Sequence, residues 1–186
     1  FIKFIEMLSY NDLLDAINIT TNGALITHHI DTLEKLQKVK NINLSLDSLQ
    51  REKFAEITRR DVFPDVYKTL EKLEQSQLNL KLNVVVQSGI NTDEILDFVR
   101  LTKEKDIAVR FIEEMPFNGK GQREMKENWT FKRILNEIQS EFIVEEINSG
   151  KSSTSRNYAI EGHQGTVGII PAFTRTICND CNRIRI

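Results

Sequence analysis

Two hydrophobic periods alternate along this chain, and that alternation restricts it to folds in which helices return the chain between parallel strands. Runs of period two occupy residues 17–20, 41–46, 80–86 and 107–112. Between them, apolar residues recur at helical spacing, as in the stripe Phe63, Val66, Tyr67, Leu70 and Leu73. Asn91 with Glu94 three residues on has the residue types of a capping box for the next helix. Phe131, Ile134, Leu135 and Ile138 mark another helix, introduced by Thr130. Parallel neighbours need a long return connection, so four strand–helix units within residues 17–140 predict an α/β fold with a parallel sheet. After about residue 141 the pattern changes. Strand-like pieces at 142–146, 158–160 and 166–170, joined by turns at 149–150 and 161–165, predict a partly antiparallel C-terminal extension. The long polar loop 118–128 reads as a mobile segment or lid.

The strands differ on their two faces. In 41–46 the apolar set is Ile42, Leu44 and Leu46, and the opposite set is Asn43 and Ser45. In 80–86, Leu80, Leu82, Val84 and Val86 share one face while Lys81 and Asn83 share the other with Val85. In 107–112, Arg110 opposes Val109 and Phe111. A doubly wound sheet would be apolar on both faces, because helices cover both. One apolar and one polar face instead predict a barrel with helices outside and a polar, ligand-filled interior. A half-exposed open sheet is the competing reading.

Bulk properties narrow the function. A chain of 186 residues, 40% hydrophobic and 28% charged, can bury a core as a single domain with a small addition. A net charge of -2 argues against general affinity for nucleic acid or membrane surfaces. No apolar run approaches the roughly 18 residues of a membrane helix, and no signal peptide is seen. Cys178 and Cys181 lie too close in sequence to staple the fold, which points to metal or redox chemistry in the reducing cytoplasm. The chain starts at Phe1 without Met and ends at Ile186 on a strand-like run, so it reads as an internal piece of a longer protein.

Several motifs fall at strand ends. Thr20-Thr21-Asn22-Gly23 closes the first strand, where a parallel barrel places its active face; a plain turn is the alternative. Ser45 points with the polar set, and Asp47 suits a helix N-cap. Lys81 is a cation on a polar strand face, either a phosphate contact or a snorkelling surface lysine. Met115 ends the fourth strand before a proline and a long loop, as core filler or a cofactor contact. Cys178-Asn179-Asp180-Cys181 supplies two ligands to one centre; zinc, iron–sulfur and dithiol use all fit the spacing. His163 is a weakly placed candidate for a further ligand. Arg183 and Arg185 alternate along a strand, as a clamp for phosphate or a purine edge would.

Five of these segments together resemble the GTP 3′,8-cyclase (MoaA) family of radical S-adenosylmethionine (SAM) enzymes over nearly the whole chain. They are Thr-Thr-Asn-Gly, Asn-Leu-Ser-Leu-Asp, Lys-Leu-Asn-Val-Val-Val-Gln-Ser-Gly-Ile-Asn, Arg-Phe-Ile-Glu-Glu-Met-Pro-Phe and Cys-Asn-Asp-Cys-Asn-Arg-Ile-Arg. The resemblance implies part of an incomplete (βα)6 TIM-type barrel over residues 1–140. Residues 141–186 would begin the region that holds the substrate and a second cluster. It implies a first 4Fe-4S cluster that cleaves SAM to a 5′-deoxyadenosyl radical, which starts the cyclisation of GTP in molybdenum cofactor synthesis. A second 4Fe-4S cluster, held by the CxxC and a later cysteine, would leave one iron open to guanine. Ser45 and Met115 match SAM-contacting positions, and Thr20 and Lys81 match GTP-contacting positions. Cys178 and Cys181 match ligands of the second cluster, and Arg183, Ile184 and Arg185 match the substrate segment after it. No residue is singled out as catalytic. The family further implies a homodimer and a product passed to the next enzyme of the pathway.

The first-cluster motif CxxxCxxC and the third ligand of the second cluster are not in this sequence. The stretch by itself is therefore expected to lack cyclase activity. Two other readings fit the same motifs: another radical SAM enzyme with an auxiliary cluster, such as a peptide-modifying one, and a non-catalytic nucleotide-binding remnant.

Overall fold

Strand β2 (Val39–Ser45) shows how the alternation is used. Val39, Ile42 and Leu44 are buried while Asn41, Asn43 and Ser45 remain half-buried. Each such side chain taken from water contributes about 1.5–3 kcal/mol, which fixes the face the strand turns inward. The same division holds along β3 (Asn79–Val86), with Leu80, Leu82, Val84 and Val86 buried, and along β4 (Ile107–Glu113), with Ile107, Val109 and Phe111 buried.

The computed structural model describes residues 1–115, 129–147 and 154–174. The fold is mixed α/β. Helix α1 (Ile2–Ser9) precedes β1 (Ile17–Thr21), and a 3-10 turn at Ile26–His29 leads into α2 (Ile30–Glu34). After β2 come α3 (Arg51–Thr58) and α4 (Phe63–Glu74), and after β3 a 3-10 turn at Thr92–Glu94 and α5 (Ile95–Arg100). Beyond β4 lie α6 (Phe131–Gln139), β5 (Val144–Ile147), β6 (Arg156–Ile160) and β7 (Thr166–Ile170). The seven strands form a sheet of order β1-β2-β3-β4-β7-β6-β5. Among the described residues, no helix is long and apolar enough to cross a membrane.

The chain divides into two compact units, Phe1–Leu82 and Asn83–Ile186, with the division inside β3. In the first, β1 and β2 run parallel, pairing Asn18 with Asn41 and Thr20 with Asn43. The stripe foreseen for α4 buries Val66, Leu70 and Leu73, while Tyr67 stays 41% exposed. Pro64 lies in the first turn of α4, where its missing N–H costs nothing. Asp47 does not cap a helix: α3 starts after Gln50, and the Ser48 hydroxyl bonds the Gln50 backbone instead.

In the second unit β4 pairs in parallel with β7, and β7–β6 and β6–β5 pair antiparallel. The antiparallel order expected after residue 141 is present, but its last strand is joined directly to β4 rather than set apart. Gly165 makes the close approach possible, because a Cβ there would lie 2.3 Å from the Ile107 carbonyl oxygen. Asn91 is the N-cap of the Thr92–Glu94 turn that opens this helix, as its residue type predicts, but its side chain makes no capping bond to it. The Asn91 side chain turns back, accepting from the Gln87 N–H at 2.8 Å and donating to the Val85 carbonyl at 2.9 Å. A buried amide in the 87–91 turn is more valuable satisfying loop backbone than capping a helix only six residues long.

Candidate functional site

The turn after β1 is built from hydroxyls and one glycine. Thr21 Oγ1 accepts from the Gly23 N–H at 3.0 Å, and Asn22 Oδ1 accepts from the Ala24 N–H at 3.3 Å. Gly23 has φ +83°, and a Cβ on it would come within 2.6 Å of Leu44 Cδ1. No other residue type fits both demands without strain. Behind it, Thr69 donates to the Gly23 carbonyl at 2.7 Å and bonds the buried Thr27 hydroxyl. This network holds the strand end rigid, and neither Thr69 nor Thr27 was singled out by the sequence.

On that rigid turn, Thr20 is exposed, and its Oγ1 accepts from Asn43 Nδ2 at 3.2 Å. Thr20, Thr21 and Asn22 line a cavity of about 310 Å³ together with Phe1, Leu25 and His29. Asn43 stands two residues before Ser45 on the half-buried side of β2, so the structure brings Thr20 to the strand row that ends at Ser45. Lys81 is half-buried at a polar position of β3, and Asn83 follows on the same side. Among the described residues, the buried Oδ1 of Asn83 has no hydrogen-bond partner. A buried carbonyl oxygen left so is costly, and such atoms commonly mark a place for a ligand or an ordered water.

In the second unit Met115 is 47% exposed just beyond β4, which removes the core-filler reading for it. Glu113, two residues earlier, is the opposite case. It is 2% exposed, and only its parity with Val109 and Phe111 along the strand marks it as inward-facing. Its Oε1 accepts from the Phe131 N–H and the Thr174 hydroxyl, and its Oε2 from the N–H groups of Phe173 and Thr174.

His163 shares a 2.8 Å hydrogen bond between Nδ1 and Thr102 Oγ1, and Phe142 packs against its ring edge-on. Burial, and then the charge of Lys103, hold its pKa below the ordinary histidine value. This is a packed structural imidazole, and among the described residues no cluster of three His, Cys, Asp or Glu side chains could hold a metal. Cys178, Cys181, Arg183, Ile184 and Arg185, with the loop 118–128 and the 149–150 turn, lie outside the described residues.

Comparison with known proteins separates along the same chain. Residues 1–102 match the radical SAM superfamily, and residues 107–186 match the family described as Molybdenum Cofactor Synthesis C. A GTP 3′,8-cyclase of Chlorobaculum tepidum is 40% identical over 174 residues, 93% of this chain and 52% of that protein. Another from Desulforamulus reducens is 36% identical over 188 residues, all of this chain and 58% of that protein. The molybdenum cofactor biosynthesis protein moc-5 of Caenorhabditis elegans is 39% identical over 189 residues, 100% of this chain and 31% of its own length. The chain thus spans about half the length, or less, of the curated relatives it matches.

Proposed function

The chain belongs to the radical SAM superfamily, and from that premise we propose that it forms part of the substrate and cofactor pocket of a GTP 3′,8-cyclase serving molybdenum cofactor synthesis. The observation that carries the reading is the polar row kept on β2 and β3 opposite a fully buried apolar row, with an unsatisfied acceptor, Asn83 Oδ1, on it. A strand face that only met solvent would need no buried acceptor. One that closes around a ribose or purine offers it a hydroxyl or amine donor. The face fits the interior of an incomplete (βα)6 barrel formed by residues 1–140, with residues 141–186 adding the substrate and second-cluster region.

In this reading Ser45 and the exposed Met115 would be the residues of this chain that contact SAM. Thr20 contacts GTP with a hydroxyl already steadied by Asn43. Lys81 places an ammonium against a phosphate, where partial exclusion of water strengthens the attraction. Arg183, Ile184 and Arg185 extend the substrate contact, the two guanidinium groups gripping phosphate or a purine edge. Cys178 and Cys181 are thiolate ligands of a 4Fe-4S cluster whose remaining ligand is not supplied by this sequence. SAM and its own cluster, when bound, supply the radical chemistry; the chain supplies orientation and charge. The reducing cytoplasm, a homodimeric assembly and transfer of the cyclised product to the next enzyme of the pathway complete the proposal.

The test is an anaerobic assay of the longest open reading frame that contains this sequence. SAM cleavage should depend on GTP and yield the cyclised nucleotide, and Lys81→Ala should raise the KM for GTP more than it lowers kcat. SAM cleavage that ignores GTP but responds to a peptide would overturn the reading in favour of a peptide-modifying enzyme. GTP binding without any SAM cleavage would leave the non-catalytic remnant.

A further inference from the structure

We infer that Asn43 is a positioning residue that sets which hydrogen bond Thr20 gives a ligand, turning the Thr20 hydroxyl proton outward so that the ligand atom it meets is an acceptor. The inference rests on Thr20 being a contact for GTP. Thr20 and Asn43 are direct partners in the parallel pairing of β1 with β2, so their side chains stand on one face of the sheet. Two residues earlier in the same row the Asn41 amide bonds the side-chain oxygen of its own partner, Asn18. Ile42 and Leu44, both wholly buried on the other face of β2, hold that strand in place. Asn43 therefore reaches Thr20 from a fixed base.

The consequence lies in what a hydroxyl can do. A threonine oxygen carries one proton and two lone pairs. Asn43 Nδ2 donates to Thr20 Oγ1 at 3.2 Å, which fills one lone pair and directs the proton away from β2. Among the described residues no acceptor takes that proton, and Thr20 is exposed on the wall of the cavity at the strand end. The next two residues of that wall are polarised alike. Thr21 Oγ1 is taken by the Gly23 N–H and Asn22 Oδ1 by the Ala24 N–H, while among the described residues nothing accepts from either side chain. Three successive side chains have thus given acceptors to the protein and kept their donors. A group rich in acceptors, such as a phosphate oxygen or a carbonyl, suits this wall. At Thr20 the preference hangs on Asn43: a carboxylate at position 43 has only acceptors, so it would draw the Thr20 proton to itself.

The experiment uses the longest open reading frame containing this sequence, purified anaerobically with its clusters reconstituted. The dissociation constant for GTP is measured by equilibrium dialysis without SAM, so that no turnover occurs. Wild type, Thr20→Val, Asn43→Asp and the double variant form a cycle. Thr20→Val should weaken GTP binding about tenfold. If it binds GTP as tightly as wild type, the contact reading fails and the inference falls with it. Otherwise Asn43→Asp should weaken binding about tenfold more in the wild-type background than in the Thr20→Val background. Repulsion between the new carboxylate and the nucleotide acts in both backgrounds and cancels from the comparison. Equal weakening in the two backgrounds would show that Asn43 acts only through charge or general stability, and would overturn the inference. If Asn43→Asp does not fold, Asn43→Ala in the same two backgrounds should show an excess of about threefold in the wild-type one; no excess would overturn the inference equally.

Discussion

After β1 the chain turns on Gly23, packed against Leu44 and Val66 and tied back by Thr69, all within one unit. After β4 it turns beyond Glu113, which gathers Phe131, 18 residues away, and Thr174, 61 residues away. Both regions finish a strand with a polar side chain next to it, yet one is set by close packing of a residue with no side chain and the other by a buried charge. The first is a local solution, and its hydroxyls remain available to a cavity. The second draws distant chain segments together and leaves its carboxylate nothing to offer a ligand. A polar residue at a strand end is therefore a candidate contact only when its hydrogen bonds are not already taken.

The contrast can be broken at either end. Glu113→Ala leaves buried N–H groups without an acceptor and should destabilise the chain by about 4 kcal/mol, read from denaturant unfolding. Gly23→Ala forces a left-handed backbone on an L residue and a clash with Leu44, and should cost about 3 kcal/mol in the same measurement. If Gly23→Ala were nearly neutral, close packing would not be what sets the first turn. Thr69→Val keeps the shape and removes the hydroxyl that supports the Gly23 carbonyl and Thr27, for about 1–2 kcal/mol.

The smallest effect is a pH dependence. His163 is held neutral more readily in the folded chain than in the unfolded one. Its folded pKa lies below the unfolded value, so the unfolded state binds more protons between the two. Stability should be flat above about pH 6.5 and fall as the pH drops from there through the folded value. His163→Gln should flatten that part of the unfolding-versus-pH curve; an unchanged slope would assign it to other groups.

Much of this architecture was legible in the residues. Period-two runs became β1 to β4 with the apolar side buried as written, because burying one face of a strand leaves a choice of only two registers. The stripe on α4 and the start of α6 followed from spacing in the same way. Asn91 stands at the N-cap position its spacing predicts, yet its side chain bonds the backbone at Val85 and Gln87, and Asp47 is not the N-cap of α3, because a capping side chain can bond either a helix end or a nearby loop and only the folded loop decides which N–H and C=O groups lack partners. The merger of the antiparallel strands with β4 was also invisible, since strand pairing across more than fifty residues leaves no local pattern.

The sequence by itself determined the α/β class, the two-sided strands and the five ordered motifs that place this chain in its superfamily, because periodicity and motif spacing are local properties. Tertiary structure alone decided which polar residues keep hydrogen-bonding capacity unspent. Thr20 is exposed beside a cavity and the buried Asn83 Oδ1 has no partner among the described residues, whereas Glu113, in phase with a buried row and reached by donors from two remote stretches, has none to spare. That distinction depends on where distant backbone N–H groups end up, which no spacing along one chain can encode.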